Sequence, residues 1–290
     1  MICVRVPATS ANLGIGYDCL GAALNWQATF RFSENPVLQI EGCPLEYRGP
    51  DNLVVRAFRH VCDALKKEMP PFLLEINSDI PLKRGLGSSA ACITAGVLAA
   101  NEWFDSPLSR EACLKLACEL EGHPDNLAPA FYGGVILSSY DGEKVETYSL
   151  ESPGFFLALC IPDYPIETEM ARSILPDSVP HKEAAGQVFQ ALKFAEALKR
   201  GNDTLLAESL KDILHEPYRR TLIKDHDFVR DCCRELGIPF WISGSGSTLA
   251  GVSFSEEKTD QLIAVLQKRR PDLTMRKAAL SSQGAKIEHE

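Results

Sequence analysis

A glycine-rich turn that leads directly into a stretch of small apolar residues most constrains the fold of this chain. The turn is Gly85-Leu-Gly-Ser-Ser89, and the stretch is Ala90–Ala100. The apolar stretch predicts a helix over about 89–102. Its eleven residues fall well short of the roughly 20 that a helix needs to cross a bilayer. We therefore predict a helix within a folded domain, no transmembrane span and no membrane partner.

The turn has the properties of an anion-binding loop. A glycine-rich turn ahead of a helix leaves backbone N–H groups free and aimed at one point, where the positive end of the helix dipole adds to them. The hydroxyls of Ser88 and Ser89 can reach a phosphate oxygen or Mg²⁺, and Lys83 and Arg84 add positive charge at the rim. An ordinary helix N-cap explains the same residues, so the loop alone leaves both interpretations open.

A dinucleotide site is a competing interpretation of the same loop, because Gly85–Ala90 fits the pattern G-x-G-x-x-A. That pattern should directly follow a hydrophobic strand, with an acidic residue about 20 positions further on closing the next strand. Here Pro81–Arg84 precedes the loop, and Asp105 falls between two predicted helices. The sequence also contains neither a P-loop nor a G-x-S-x-G nucleophile elbow.

The composition favours two fused domains of a folded protein. The chain has 290 residues, more than one ordinary core usually holds, and 45% of them are hydrophobic and 24% charged. The composition changes at Ser152-Pro153-Gly154, so we predict domains at 1–152 and 153–290. Strand and helix patterns alternate in the second half, which indicates an α+β fold class.

Three local expectations are relevant to the structure. Residues 1–7 read as a strand, and residues 8–21 read as a loop because they are rich in glycine, asparagine and small polar residues. A helix is predicted over about 203–214, ahead of Pro217.

Charge and cysteine content limit the partners and the compartment. Asp and Glu number 39 against 30 Lys and Arg, a net charge of −9, and no extensive basic face of the kind that binds nucleic acid is evident. The ten cysteines form no C-x-x-C pair, which is typical of free thiols in a reducing cytoplasm. Polar residues occupy the N-terminal region where an export signal would keep an apolar core, so we expect a cytoplasmic protein.

Two further glycine-rich loops flank the first in sequence, Pro7–Asp18 and Ser243–Thr248. Together and in this order the three loops resemble the GHMP kinases, the family of galactokinase, homoserine kinase and mevalonate kinase. The similarity to the homoserine kinase branch covers nearly the whole chain, in Val4–Asp18, Pro81–Ala91, Glu121–Pro129, Ala171-Arg172 and Glu216–Arg219. The chain departs from the usual family pattern at Ile15 and Ser247, where proline is common.

The resemblance implies a two-domain architecture and an activity. The N-terminal domain should resemble domain 2 of ribosomal protein S5, and the C-terminal domain should be ferredoxin-like. The implied reaction is ATP-dependent phosphorylation of L-homoserine to O-phospho-L-homoserine in threonine biosynthesis, with ATP and Mg²⁺ as cofactors. A homodimer is one assembly that the resemblance allows. Two alternatives stay open: a kinase of this family for another small hydroxy acid or alcohol, and a non-catalytic nucleotide-binding relative.

The resemblance also assigns site residues. The nucleotide loop comprises Pro81, Leu82, Lys83, Arg84, Gly85, Leu86, Gly87, Ser88, Ser89, Ala90 and Ala91. Mg²⁺ would be held by Ser89 and by either Glu119 or Glu121, which sequence does not separate. Asp125 and Asn126 are the catalytic candidates, and whether a general base is needed is left open. The substrate contacts are Asn12, Asp18, His123, Thr168, Arg172 and Arg219.

The charges of these substrate residues suit an amino acid. Guanidinium groups hold a carboxylate well, which gives Arg172 and Arg219 a role, and the ammonium group of homoserine needs an acid such as Asp18. Mevalonate has no ammonium group and galactose carries neither charge. The two arginines and one aspartate therefore favour an amino-acid substrate.

Overall fold

The computed structural model describes residues 1–290 and contains two β-sheets with helices packed against them. The strands in chain order are β1 (Ile2–Ala11), β2 (Leu20–Glu34), β3 (Gln39–Glu41), β4 (Phe72–Asn77), β5 (Val135–Tyr140), β6 (Val145–Leu150), β7 (Phe156–Ile161), β8 (Phe240–Ile242), β9 (Leu249–Ser253), β10 (Thr274–Ala279) and β11 (Lys286–His289). The helices are α1 (Leu53–Leu65), α2 (Ser88–Trp103), α3 (Arg110–Glu121), α4 (Leu127–Tyr132), α5 (Thr168–Ser173), α6 (His181–Arg200), α7 (Asp203–Ser209), α8 (Glu216–Arg219), α9 (His226–Glu235) and α10 (Glu256–Arg269).

The first sheet has seven strands and the second has four. In the first sheet the order is β11-β1-β2-β4-β3, and β5 pairs with the other end of β2 and with β6. The second sheet has the antiparallel order β10-β7-β9-β8. All strand pairs are antiparallel except β3 with β4, and this combination of mainly antiparallel sheets and helices confirms the predicted α+β class. The last strand, β11, pairs with β1, so residues 286–289 complete the first sheet although they follow the second sheet in sequence.

Helix α2 lies at the centre of the N-terminal domain and confirms the helix predicted after the glycine-rich turn. Eleven of its sixteen residues are buried, which explains why the sequence is apolar all round the helix. Gly96 lets α1 approach closely, because a Cβ at this position would overlap the carbonyl oxygen of Val54. Close packing on both sides fixes the start of α2, at Ser88, against the sheet.

A continuous hydrophobic core of 54 buried residues joins the two sheets. The fully buried Trp241 on β8 packs edge-on against Phe155, with ring centroids 6.2 Å apart, and against Phe194 of α6 at 6.4 Å. A second cluster of 13 buried residues lies where α9 and α10 cover the second sheet. No helix combines the length and the apolar character needed to cross a membrane.

Two local expectations were wrong. Strand β1 continues past Pro7 to Ala11, so the loop predicted over 8–21 starts only at Asn12. Small polar residues gave the wrong reading because Thr9 and Ser10 are fully buried in the strand and hydrogen-bonded to other loops. The helix predicted over 203–214 ends at Ser209.

The early end of α7 has a local cause in the residues that follow it. The carboxylate of Asp212 accepts hydrogen bonds from the backbone N–H groups of His215 and Glu216, both at 2.8 Å. This turn gives the backbone an alternative to helix and leads into α8. The short helices α4, α5 and α8 and the strands β6 and β11 have no counterpart among the sequence expectations.

Candidate active site

The three glycine-rich loops meet at a polar cleft. Sixteen residues line it and none of them is hydrophobic. All eight residues predicted to bind or act on a substrate are among them: Asn12, Asp18, His123, Asp125, Asn126, Thr168, Arg172 and Arg219. The cleft is therefore built for a small, charged ligand.

Hydrogen bonds to backbone carbonyls hold the three loops together. The N–H of Thr9 donates to Leu86 O at 3.2 Å, and the N–H of Gly244 donates to Ala11 O at 3.0 Å. The hydroxyl of Ser243 donates to Gly85 O at 2.6 Å. The two bonds made by Ser243 and Gly244 connect residues more than 150 positions apart, so the cleft depends on the contact between the two domains.

The middle loop presents the start of α2 to the cleft. Gly85 and Gly87 have φ values of +72° and +69°, which favour glycine, and a Cβ at Gly87 would overlap Thr9 Oγ1. Gly87 is the N-cap of α2 and no side chain caps the helix. The first N–H groups of a sixteen-residue helix therefore remain available to an anion, with the helix dipole behind them.

Not every residue of the predicted nucleotide loop faces a hollow. Seven of them line this cleft or the hollow next to it: Leu82, Lys83, Gly85, Gly87, Ser88, Ser89 and Ala91. Leu86 and Ala90 are 1% exposed and belong to the core. Arg84 donates from Nε to Pro162 O at 3.0 Å, so its side chain ties the loop to the second domain. Pro81 lines neither hollow.

The structure separates the two glutamates that sequence left together. Glu121 lines the cleft, where its Oε2 accepts a hydrogen bond from Ser89 Oγ at 2.8 Å. Glu119 does not line the cleft, and its carboxylate pairs with His60 Nε2 at 2.8 Å and Lys115 Nζ at 3.7 Å. Burial raises the pKa of Glu121. A hydroxyl and a desolvated carboxylate form a hard oxygen pair that fits Mg²⁺, because the cation would offset the cost of burying the carboxylate.

Two arginines line the cleft in different electrostatic states. Arg172 forms a two-pronged pair with Asp18, with Nη1 to Oδ2 at 2.9 Å and Nη2 to Oδ1 at 2.7 Å. Arg219 is 2% exposed, and its guanidinium donates only to backbone carbonyls, Ala171 O at 3.2 Å and Gly244 O at 3.0 Å. Burial lowers the pKa of Arg219, and the nearby charge of Arg172 lowers it further. A buried guanidinium without a carboxylate partner is costly, so it favours an anionic ligand in the cleft.

Asp125 also lines the cleft and is 3% exposed. Its Oδ1 binds His123 Nδ1 at 2.8 Å and accepts the backbone N–H of Asn126 at 2.9 Å. Burial lowers the pKa of His123, but the hydrogen bond and charge of Asp125 outweigh it and the net shift is upward. Thr9 Oγ1 donates to Asn126 Oδ1 at 2.6 Å, which fixes the amide with its NH₂ group as the remaining donor.

A second, apolar hollow adjoins the cleft. It shares Lys83, Ser88 and Ser89 with the cleft. Ten of its seventeen lining residues are hydrophobic, among them Phe30 and Tyr47. Sequence reasoning missed this hollow because its walls come from separate parts of the chain, among them β2, β4, helix α2 and the segment that precedes α1. No single motif connects them. Gly244 and Ser245 also line the cleft, although neither was assigned to the site from the sequence. Their membership of the third glycine-rich loop, Ser243–Thr248, was the feature that could have predicted this.

Comparisons with known proteins agree with this arrangement. The model of the GHMP kinases N-terminal domain matches residues 52–134, and the model of the GHMP kinases C-terminal domain matches residues 194–272. A homoserine kinase of Clostridium botulinum is 38% identical over 261 residues, which cover 89% of this chain and 88% of that protein. The chain belongs to the GHMP kinase family. It is therefore a kinase, and membership of this family implies the use of ATP.

Two further relatives extend the comparison. A homoserine kinase of Gloeobacter violaceus is 42% identical to this GHMP kinase over 264 residues, 87% of either chain. The crystal structure of homoserine kinase from Cytophaga hutchinsonii superposes with a TM-score of 0.86 at 28% identity, covering 99% of this chain and 97% of that one. The predicted two-domain GHMP kinase fold is confirmed.

The two departures from the usual pattern of GHMP kinases are accommodated outside the cleft. Ile15 is 2% exposed, and its carbonyl oxygen accepts a hydrogen bond from Gln187 Nε2 at 2.8 Å. Ser247 is fully buried, and its hydroxyl donates to Tyr164 O at 2.7 Å. A side-chain hydrogen bond thus fastens each of these turns in this chain.

Proposed function

We propose that this kinase transfers the γ-phosphoryl group of ATP to the hydroxyl group of L-homoserine and produces O-phospho-L-homoserine, a step of threonine biosynthesis. The observation that carries the proposal is the buried Arg219, which has no acidic partner and lies beside the Arg172–Asp18 pair in a cleft without apolar residues. The relatives at 38% and 42% identity are homoserine kinases, which supports the same acceptor.

The charges of the cleft complement a zwitterion. The α-carboxylate of homoserine would supply the missing counter-charge to Arg219 and share Arg172, while the ammonium group would take a place at Asp18. Thr168 begins α5 and lies one helical turn from Arg172, so its hydroxyl faces the same ligand. Asn12 donates from Nδ2 to Gly244 O at 3.1 Å and accepts the backbone N–H of Asp18 at 2.9 Å. It therefore joins the aspartate to the loop behind Arg219.

In this proposal one ATP molecule occupies parts of both hollows. The apolar hollow suits the adenosine moiety, and the triphosphate would pass over Ser88 and Ser89, the two serines that both hollows share. The free N–H groups of the α2 N-terminus would face the phosphates. The ammonium of Lys83, which pairs with Glu167 Oε1 at 2.8 Å, would exchange that exposed contact for a phosphate oxygen. Ser89 and Glu121 would hold Mg²⁺, which neutralises charge on the phosphates when bound.

Asp125 and Asn126 would orient the hydroxyl group that attacks. The Oδ1 atom of Asp125 is occupied by His123 and by the Asn126 backbone, which leaves Oδ2 to accept the substrate O–H. The NH₂ group of Asn126 is directed by Thr9 to serve as a donor. Phosphoryl transfer asks a protein mainly for positioning and charge stabilisation, and both residues are held rigidly enough for that role.

A coupled assay of ADP release tests the proposal. We expect turnover with L-homoserine and at most a trace with R-mevalonate or galactose, since these lack one or both charges of the zwitterion. Equal turnover with all three, or none with any, would contradict it. A wider panel of small hydroxy acids and alcohols would reveal another acceptor. The two departures from the family pattern, Ile15 and Ser247, do not line the cleft, so they give no reason to expect a different acceptor.

Two finer predictions accompany the function. All ten cysteines are free, which supports a reducing, cytoplasmic setting. A homodimer also stays a prediction.

A further inference from the structure

We propose that Tyr17 is a positioning residue that holds Arg172 and Arg219 as a clamp for the substrate carboxylate. Tyr17 does not line the cleft, so it would act through the two arginines rather than on the substrate. The inference rests on the proposed function only in taking the acceptor to be a carboxylate-bearing amino acid.

The tyrosine ring contacts both guanidinium groups. The Cζ atom of Arg219 lies 5.1 Å from the centre of the Tyr17 ring, and that of Arg172 lies 5.7 Å from it. Both distances fall within the range in which the negative face of an aromatic ring attracts a cation. Tyr17 is therefore a group that both arginines share, although they come from helices α8 and α5.

The hydroxyl group of Tyr17 adds a directional contact to one arm of the clamp. Arg172 Nη1 donates to Tyr17 Oη at 3.0 Å and, from the same nitrogen, to Asp18 Oδ2 at 2.9 Å. This geometry fixes the plane of the Arg172 guanidinium. Arg219 has no such contact with a side-chain oxygen, so the ring is its principal side-chain neighbour on this side.

The imidazole of His215 also contacts the tyrosine ring. His215 is fully buried and stacks on Tyr17, with ring centroids 5.5 Å apart and an angle of 27° between the planes. Burial lowers the pKa of His215 to about 4 and outweighs the charge of Asp212, whose Oδ2 lies 3.8 Å from His215 Nε2. The imidazole therefore adds no third positive charge beside the two guanidiniums at neutral pH.

The need for such a support follows from the charges. Arg172 and Arg219 repel each other, and the single acid that pairs with them, Asp18, is bound to Arg172 alone. Without the ring, the two cations would lose the one group that both of them contact, and only separate hydrogen bonds would hold them, to Asp18 for Arg172 and to backbone carbonyls for Arg219. Tyr17 thus reduces the reorganisation that substrate binding would otherwise require.

Steady-state kinetics of Tyr17→Leu and Tyr17→Phe test the proposal. For Tyr17→Leu we expect the KM for L-homoserine to rise about tenfold, the scale of two lost cation–π contacts and one hydrogen bond. The value of kcat should stay within about twofold and the KM for ATP should not change. Tyr17→Phe keeps the ring and should raise the KM about two- to threefold.

An acceptor without a carboxylate gives the readout that a merely structural role would not produce. The wild type and both variants would be compared on 2-aminobutane-1,4-diol, which keeps the ammonium and hydroxyl groups of homoserine. We expect Tyr17→Leu to leave the weak turnover of this diol almost unchanged. Tyr148→Leu is the matched control, because Tyr148 is 61% exposed on β6 and its replacement should alter neither acceptor.

The outcomes decide the proposal and separate it from the proposed function. Equal losses on homoserine and the diol, an equal rise in the KM for ATP, or an unchanged KM for homoserine in both variants would overturn the role of Tyr17. If Tyr17→Leu does not fold, Tyr17→Phe decides alone by the same comparison. If the wild type prefers another carboxylate-bearing acceptor, the homoserine assignment fails, and the variants tested on that acceptor still decide the clamp.

Discussion

Replacing Arg219 with alanine is the sharpest test of the charge arrangement in the cleft. Arg219 is 2% exposed and its guanidinium has only two carbonyl partners, Ala171 O and Gly244 O. A substrate carboxylate would therefore form its charged hydrogen bond with a group that has no other ion partner to give up. A hydrogen bond to a charged group contributes about 1.5–3 kcal/mol, which corresponds to a roughly 10- to 150-fold rise in the KM for L-homoserine.

The structure also predicts what should not change. Arg219 does not line the apolar hollow, so the KM for ATP should remain within about twofold of the wild-type value. The assay follows ADP release while each substrate is varied at saturation of the other. Arg220→Ala is the matched control, because Arg220 is the next residue, is exposed and lies outside the polar cleft.

Two results would refute this reasoning. A parallel rise in both KM values would mean that the substitution disturbs the loops as a whole, since Arg219 also holds Gly244. An unchanged KM for homoserine would mean that the carboxylate binds elsewhere. A thermal unfolding scan of both variants would separate loss of recognition from loss of fold.

Three further predictions follow from the geometry. Glu121→Gln should raise the Mg²⁺ concentration needed for half-maximal activity at least tenfold, whereas Glu119→Gln, whose carboxylate faces His60, should not; equal effects in a Mg²⁺ titration would reject the metal assignment. Gly87→Ala should lower the unfolding temperature by several degrees and weaken ATP binding, because the added Cβ overlaps Thr9. The added Cβ of the control Gly122→Ala meets no atom within 4 Å, so this variant should show only the strain of its positive φ. Thermal scans of each variant with and without Mg-ATP measure the unfolding temperature and the effect on ATP binding. Burial raises the pKa of Glu216 from 4.5 to about 8, so the folded state binds the extra proton and stability should fall as pH rises from about 4.5 to 8; Glu216→Gln should flatten this fall in urea titrations, and an unchanged slope would contradict it.

The positions of the site residues could be predicted because the chemistry lies in short motifs. Asp18, Asp125 and Arg219 each stand in a segment whose residue order resembles that of known kinases, and the structure brings all three into one cleft. Residues two apart on a helix point in different directions, so only one of Glu119 and Glu121 could face the loop. The sequence does not show which side of the last turn of α3 faces the glycine-rich loop, and this orientation decides between Glu119 and Glu121.

Features that depend on contacts between distant segments could not be predicted. Thr9 and Ser10 look like loop residues in sequence, but their hydroxyls are satisfied by Asn126 and Ser243, more than 100 positions away. The apolar hollow likewise has no local signature, since its walls come from separate elements. Tyr17 carries no signal either, because a tyrosine in a turn is common and only the positions of two arginines and a buried histidine give it a role.

The two arginines should differ in how much they contribute to binding. Asp18 and Arg172 already neutralise each other through two hydrogen bonds, so a zwitterion that binds between them exchanges one pair of contacts for another, and the net gain is small. Arg219 forms no ion pair, and burial has already removed its water. Binding a carboxylate there gains a charged contact without breaking one. Arg219 should therefore provide most of the affinity for the carboxylate, and the Asp18–Arg172 pair should mainly select ligands that carry both charges.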